Sequence, residues 1–401
     1  MSKKKVVLAY SGGLDTSFCI PWLTRENNCE VHAITVNTGG FSKEDVIKLE
    51  ERAYQLGAAS FKMVDAQQDF YTKCIRYLIF GNVLRNNTYP LSVSAERMFQ
   101  AIETAKYASQ VNAQAVAHGS TGAGNDQVRF DIAFQILGHE LEIITPIRDM
   151  KLARQTEIDK LLAWGFNWNW EKAKYSVNKG LWGTSVGGVE TLTSHQGLPD
   201  DAYPTPLSAS DPLKVSLKFE KGELVGVNDK IYSPLQAIHE LQQLAAPFAI
   251  GRDIHVGDTI IGIKGRVGFE AAAPMIILKS HHLLEKHTLT KWQQYWKEQL
   301  ANWYGMLLHE GQFLDPVMRN IEHFLEDTQS HVTGNVMLTL YPYRFVLDGV
   351  LSDFDLMNPE FGHYGEMNKG WSGEDVKGFT KIAGNQSRIF FEVLSKQQNP
   401  S

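Results

Sequence analysis

The sequence predicts an α/β protein: an N-terminal parallel sheet with helices on both faces, then an α+β domain and a C-terminal tail suited to oligomerisation. Three observations carry this. From residue 5 to about 165, short β-branched runs alternate with longer helical stretches, the pattern of a parallel sheet covered on both faces. The apolar run Val6-Val7-Leu8 leads directly into paired glycines and a helix start. After Gly165 the composition changes, with Trp164, Trp168, Trp170 and Trp182 close together and four prolines between Pro199 and Pro212. At 401 residues the chain exceeds the size at which one core usually keeps growing. The division expected is 1–165, 166–373 and 374–401.

In chain order, strands are expected at Val6–Ala9, Val31–Val36, Ser60–Val64, Ala115–Ala117 and Glu142–Ile144. Helices fit Thr16–Asn27, Lys43–Leu56, Phe70–Phe80, Ala95–Gln110 and Leu152–Trp164, the last capped by Gly165. Further on, Lys214–Phe219, Leu224–Val227 and Asp258–Ile263 read as strands, and Pro234–Ala246 and Thr290–Leu308 as helices. Val336–Leu340 and Arg344–Leu347 flank Tyr341-Pro342-Tyr343 as paired strands. Glu374–Leu394 reads as a mostly polar, partly helical tail that a neighbouring subunit would cover.

The net charge is −6, with 39 basic and 45 acidic residues, and no cationic block follows Lys3-Lys4-Lys5. Nucleic-acid binding, which needs clustered cations, is therefore not expected. Cys19, Cys29 and Cys74 lie far apart and show no metal-ligand spacing, so neither structural zinc nor a disulfide framework is expected. No run of about 18 apolar residues is present, so no membrane association is expected. The expected location is the cytoplasm.

The segment Ala9-Tyr10-Ser11-Gly12-Gly13-Leu14-Asp15-Thr16-Ser17 turns from a strand into a helix. Such a turn aims free backbone N–H groups and the positive end of a helix dipole at one point, with the hydroxyls of Ser11, Thr16 and Ser17 around it. It is an anion cradle. Neither the Gly-x-x-x-x-Gly-Lys phosphate loop nor the three-glycine dinucleotide fingerprint can be written onto it. It resembles the pyrophosphate loop of the N-type ATP pyrophosphatases, which split ATP between its α- and β-phosphates.

A second constellation, His118-Gly-Ser-Thr-Gly-Ala-Gly-Asn-Asp-Gln-Val-Arg-Phe-Asp131, follows the strand expected at Ala115–Ala117. Its glycines allow close backbone approach, and Asn125, Asp126 and Arg129 bring donor, acceptor and planar cation within one helical turn. A helix N-terminus capped by Asn125 or Asp126 would read the same way. With both segments in place the chain resembles the argininosuccinate synthases, whose fold is adenine nucleotide α-hydrolase-like. These join citrulline to aspartate in arginine biosynthesis. The ureido oxygen attacks the ATP α-phosphorus, pyrophosphate leaves, and the aspartate amine displaces AMP from the citrullyl-adenylate.

The resemblance implies that residues 9–17, Val36 and Gly119 bind ATP. It implies that Thr121, Asn125 and Asp126 hold aspartate, and that Tyr89, Ser94, Asn125, Arg129, Ser176 and Ser185 contact citrulline. It also implies a homotetramer. Two family positions differ: a glutamate and a tyrosine that contact citrulline are replaced by Gly257 and Phe269. Either Asp258 substitutes through a one-residue shift, or the substrate carries a modified amino group. Mg²⁺ and a lysine, Lys172 or Lys174, are expected to neutralise the departing pyrophosphate. Asp15 and Asp126 are the acidic groups expected near metal or amine, with Asp15 alternatively a helix cap. His118 is read as a phosphate contact or a packed core residue, and the tryptophans as interdomain core or an adenine platform. A tRNA-directed relative of the same loop class would need a basic surface, which is missing. A non-catalytic nucleotide-binding protein is the other alternative.

Overall fold

The computed structural model describes residues 3–168, 170, 174–357, 360, 362, 364–366 and 370–398. Its contacts divide the chain into two units, Met1–Phe354 and Asp355–Ser401. The first begins with strands β1 (Lys5–Ala9), β2 (Glu30–Asn37), β3 (Ser60–Asp65), β4 (Ala115–His118) and β5 (Glu142–Ile144). They form one parallel sheet in the order β3-β2-β1-β4-β5, with Val6 paired to Val31 on one side and Ala115 on the other. Side chains alternate across it: Val7 packs with Ile34 and Val36 on one face, Val6 and Leu8 with Val31 and Ala33 on the other. A strand buried on both faces has no place for a polar residue, which is why β1 reads as a continuous apolar run.

The expected strands and helices of this region are present with small shifts at their ends. The first helix starts at Leu14 and, after Pro21, continues as a single π-turn, Trp22–Glu26. The helix Lys43–Leu56 opens with a capping box between Ser42 and Asp45 and closes at Gly57 in the left-handed conformation, φ 103°. A helix at Asp126–Leu137 carries the second constellation, with Asn125 at its cap position making no side-chain cap.

Two antiparallel sheets follow. Strands β6 (Ser176–Gly180) and β7 (Gly183–Gly187) form a hairpin. The next strands are β8 (Leu213–Glu220), β9 (Glu223–Val227), β10 (Lys230–Ile231), β11 (Arg252–Asp258), β12 (Lys264–Glu270), β13 (Gly334–Tyr341) and β14 (Arg344–Leu351). The sheet orders are β10-β9-β8-β13-β14 and β11-β12-β7-β6. The strand expected at Asp258–Ile263 is instead the turn joining β11 to β12. Thr259 donates its backbone N–H to Ile263 and accepts from Gly262, which sits at φ 83°. The apolar letters Ile260, Ile261 and Ile263 suggested a strand, but the left-handed glycine turns the chain back.

The change of architecture near residue 165 does not interrupt the core. Val7, Ile34 and Val36 belong to the same buried cluster as Leu217, Ile276 and Val336. Within this cluster lies a polar network. Lys297, 1% exposed, ion-pairs with Glu285 at 2.8 Å and donates to the Phe80 carbonyl at 2.9 Å. Asn82 and Gln329 complete the carboxylate's hydrogen bonds. The second unit contains the helices Gly373–Ala383 and Asn385–Gln398, with no side chain of either buried. The tail expected as partly helical forms two helices separated at Gly384, and its apolar side chains Phe379, Ile382, Phe390 and Phe391 are exposed. No helix among the described residues is long and apolar enough to cross a membrane.

Removing one partner of a buried ion pair leaves an uncompensated charge. Lys297→Met is therefore expected to lower unfolding stability by roughly 3–5 kcal/mol. The double variant Lys297→Met with Glu285→Gln should recover much of the loss in urea titrations.

Candidate active site

Order β3-β2-β1-β4-β5 means the chain leaves β1 toward one edge and returns to its other side at β4. In such sheets ligands bind outside the carboxyl ends of the strands, where the order reverses. The loops after β1 and β4 meet there. A Cβ on Gly119 would stand 3.0 Å from the backbone nitrogen of Thr16, so any side chain there would have to push the first loop back by a few tenths of an ångström. Between and around the loops is a cleft of about 870 Å³.

The cleft is lined by Ala9, Tyr10, Ser11, Gly13, Leu14, Asp15 and Thr16 from the first loop, and by Val36 at the end of β2. Gly119, Thr121 and Asp126 line it from the second. Gly12 and Ser17 lie behind this surface. Gly12, at φ 75°, gives its carbonyl to Arg52 at 3.1 Å, and Ser17 is fully buried. Within the loop, the Thr16 hydroxyl accepts from the Ser11 backbone N–H at 3.3 Å and donates to the Gly13 carbonyl. Gly13 caps the helix with no side-chain bond, so the first N–H groups of the helix face the cleft without an internal acceptor.

The positive charge in the cleft comes from residues that motif reading did not single out. Lys48, Arg52, Arg97 and Lys179 all line it. Lys48 lies in the helix Lys43–Leu56 and Lys179 in a hairpin, so nothing in their sequence neighbourhood marks them. Lys174, one of the lysines expected there, is exposed and pairs with Asp201 at 3.3 Å, outside the lining. Lys172 lies outside the described residues. Asp126 accepts from Arg97 at 2.9 Å and from Arg129 at 3.0 Å. Burial would raise its carboxyl, but the two guanidiniums hold it below the ordinary carboxylate value.

Asp15 does not cap its helix. Burial raises its carboxyl, and it shares a hydrogen bond with Glu157 of the helix Arg154–Ala163. Burial, followed by the neighbouring Asp15 charge, pushes Glu157 up to about 8. Glu96 is a second buried acid, also pushed up to about 8 by burial, with one oxygen accepting from Thr38 at 3.0 Å. Its other oxygen has no partner among the described residues.

His118 is buried and hydrogen-bonded, and it also lines the cleft. Its Nδ1 accepts from the Ser120 N–H at 3.2 Å, which leaves Nε2 to donate to Asp131 at 3.0 Å; Asp131 in turn holds Arg148 at 2.6 Å. This chain fixes the second loop. The tryptophans are packing residues, since none lines the cleft: Trp164 lies against Phe18, Arg52 stacks over Trp168 and Trp170, and Trp182 is fully buried.

Tyr89, Ser94, Asn125, Arg129, Ser176, Ser185 and Asp258 fall outside the cleft lining. Several of them still converge. Ser185 is the cross-strand partner of Phe269, and Phe269 packs on Tyr89 with ring centroids 5.4 Å apart. Ser176 lies on the same face of that sheet, two residues before the Asn178 that pairs with Ser185. Ser94 is buried and donates to the Leu91 carbonyl. Asn125 accepts from the Ile260 N–H at 2.9 Å, tying the second loop to the β11–β12 turn. Arg129 is buried with both Nε and Nη2 donating to the His309 carbonyl. Asp258 is exposed and salt-bridged to Lys264 at 2.6 Å. Sequence reading did not find His255. Its ring stacks on Tyr89 at 5.3 Å, and a Cβ on Gly257 would meet its Nε2 at 2.5 Å.

The family model described as the arginosuccinate synthase N-terminal HUP domain matches residues 5–163, and that of the arginosuccinate synthase C-terminal domain matches residues 175–390. The chain is similar to the argininosuccinate synthase of Xanthomonas campestris pv. campestris, 36% identical over 405 residues and covering 98% of this chain and 100% of that one. It is 34% identical to that of Sulfolobus acidocaldarius over 388 residues, 96% of this chain and 98% of that one. To that of Dictyoglomus thermophilum it is 34% identical over 392 residues, 97% and 98% of the two chains. With both halves matched and the similarity running nearly end to end, the chain belongs to the argininosuccinate synthase family.

Proposed function

We propose that the chain uses ATP to join the ureido group of a citrulline-type substrate to the amine of aspartate, forming an argininosuccinate-type product with release of AMP and pyrophosphate. The observation that carries this reading is the meeting of the two loops at the switch point between β1 and β4, lined by free helix N–H groups and four cations. A step in arginine biosynthesis, in the cytoplasm, is the corresponding cellular role.

A ureido oxygen is a weak nucleophile and a ureido nitrogen a poor leaving group. In the proposed reaction the oxygen attacks the α-phosphorus and pyrophosphate departs with the P–O bond electrons. The aspartate amine then adds to the ureido carbon, loses a proton, and expels AMP. The protein's share is positioning and electrostatics. Ser11, Gly13 and Thr16 would cradle the phosphates, Lys48 and Lys179 would offset the charge on pyrophosphate, and Gly119 would lie against the nucleotide. Thr121, Asn125 and Asp126 would hold aspartate, with Arg97 fixing the Asp126 carboxylate. Tyr89, Ser94, Arg129, Ser176 and Ser185 would form the ureido-substrate wall.

Among the described residues no three His, Cys, Asp or Glu side chains form a metal cage. Mg²⁺ keeps several waters and takes one or two carboxylates with substrate phosphates. It would therefore enter with ATP, supplying charge neutralisation on the phosphates. The unburied apolar residues of the C-terminal helices support a homo-oligomer, which we read as a tetramer.

The deciding assay follows AMP and pyrophosphate release from ATP and Mg²⁺ with aspartate, comparing citrulline and an N-acylated citrulline. Release with either supports the ligase, and silence with both would leave a non-catalytic nucleotide-binding protein. Gly119→Val should raise KM for ATP by roughly 100-fold through displacement of the Thr16 backbone, with the thermal midpoint nearly unchanged. Glu96 stays protonated until pH rises through about 8. Its ionisation then places a new negative charge beside the phosphate-binding cations, so KM for ATP should climb above that pH in the native chain and stay flat in Glu96→Gln.

A further inference from the structure

The joining of the two substrates leaves one proton without an acceptor. The aspartate α-amine enters as an ammonium, which has no lone pair until a base takes a proton from it. The acids and the imidazole that line the cleft are Asp15, Asp45, Glu96, Asp126 and His118, and all but Glu96 are committed. Asp126 is gripped by Arg97 and Arg129. Asp45 is exposed and closes the capping box with Ser42. Asp15 shares its hydrogen bond with Glu157 at the start of the first helix. Both ring nitrogens of His118 are bonded, one to Ser120 and one to Asp131. Glu96 is 2% exposed, and only one of its oxygens, the acceptor from Thr38, is answered among the described residues. A buried polar atom left without a partner is unusual in a folded protein, and a bound ligand would complete its bonding.

Its position joins the two substrate subsites. On the helix Ser92–Gln110 it is followed by Arg97, which holds the Asp126 proposed to bind aspartate. On the other side, a Cβ on Gly180 would overlap the free oxygen, so the carboxyl lies directly over that glycine at the end of β6. Side chains alternate along a strand, which puts Gly180 on the same face as Asn178 and Ser176, and the hairpin register sets Ser185 opposite Asn178. Glu96 thus stands over the face that carries Ser176 and Ser185 of the ureido-substrate wall. Arg97 is the charged group acting on it from its own helix. Lys179 from the hairpin, Lys48 and Asp45 from the helix Lys43–Leu56, and Asp126 line the same cleft. Burial outweighs Arg97 and pushes the carboxyl up to about 8, close to the working range of a general base.

We propose that Glu96 is the base of the joining step, accepting a proton from the aspartate α-ammonium at its free oxygen. The proposal rests on the ligase reading above. The freed lone pair forms the C–N bond to the adenylated ureido carbon. The surplus N–H proton of that adduct leaves with AMP, which departs with the electrons of the C–O bond, and Glu96 returns its own proton to water.

The test separates the two steps in acid-quenched single turnovers of the full chain, with saturating ATP, Mg²⁺, aspartate and whichever citrulline the assay above finds active. Pyrophosphate formed reports attack on phosphorus, and the citrulline–aspartate product reports joining. Glu96→Gln should form pyrophosphate at close to the native rate and the joined product roughly 100-fold more slowly. In the native chain Glu96 is protonated below about 8 and accepts nothing. The joining rate should therefore climb with pH up to that value and then level off, while pyrophosphate formation stays flat, and Glu96→Gln should lack the climb. Equal losses in both steps would overturn the proposal, because Glu96 would then hold the hairpin in place rather than move a proton. A climb that survives in Glu96→Gln would also overturn it and pass the role to Asp15. No pyrophosphate from the native chain, alongside retained ATP binding by calorimetry, would remove the ligase reading and the proposal with it.

Discussion

The guanidinium of Arg129 is the junction on which the site depends. Two of its nitrogens end on the carbonyl of His309, the last residue of the helix Lys291–His309, and the third ends on Asp126, which lines the cleft. Buried guanidinium groups need every donor answered, and here the answers come from parts of the chain 180 residues apart. The planar fork fixes direction as well as distance. Asp126 is thereby aimed by two arginines, Arg97 from the helix Ser92–Gln110 and Arg129 from one turn along its own helix, and the loop from His118 to Asn125 is held at both ends. Asp131 and Arg148 brace its start, and Asn125 ties its end to the β11–β12 turn.

Around that junction, the two halves of the molecule divide the work by architecture. The parallel sheet supplies strand ends, helix starts and hence unsatisfied N–H groups. The antiparallel hairpins supply a flat wall on which Ser185, Phe269 and His255 sit at fixed cross-strand positions. The larger core cluster runs on past residue 165 from Val7 and Phe130 to Phe269, so the wall and one face of the parallel sheet share one packed foundation. That is also why a buried Lys297–Glu285 pair is tolerated: the surrounding amides complete its hydrogen bonds inside a region that does not part.

Much of the parallel half was legible in the sequence, because a strand buried on both faces leaves an unbroken apolar run and because helix ends carry their own signals. Ser42 with Asp45 and the terminal Gly57 mark one helix at both ends. The anion loop was legible for the same local reason. Residues whose role depends on distant partners were not. Lys48 and Lys179 look like any solvated lysine until the fold brings them to one cleft, and Glu96 gains its raised pKa only from burial among elements far away in the chain. The β11–β12 turn was misread as strand because its isoleucines carry a strand-like composition, whereas Gly262 alone decides the reversal. His255 had no motif to announce it. The hairpin that brings it to Tyr89 exists only in three dimensions.

The order of the parallel sheet has a consequence for how the chain acquires its shape. The first strand to be made is the central one, and its two neighbours arrive at very different times: Val31 soon after Val6, Ala115 only much later. Closing the second pairing requires a long excursion of chain, an entropic cost that local contacts cannot offset in advance. Until β4 docks, one edge of β1 is an open row of hydrogen-bonding groups, and the cleft has a single wall. Assembly of the nucleotide-facing surface is thus a late event in folding, and a chain stalled before residue 118 would expose an aggregation-prone apolar strand where the finished molecule keeps its most protected one.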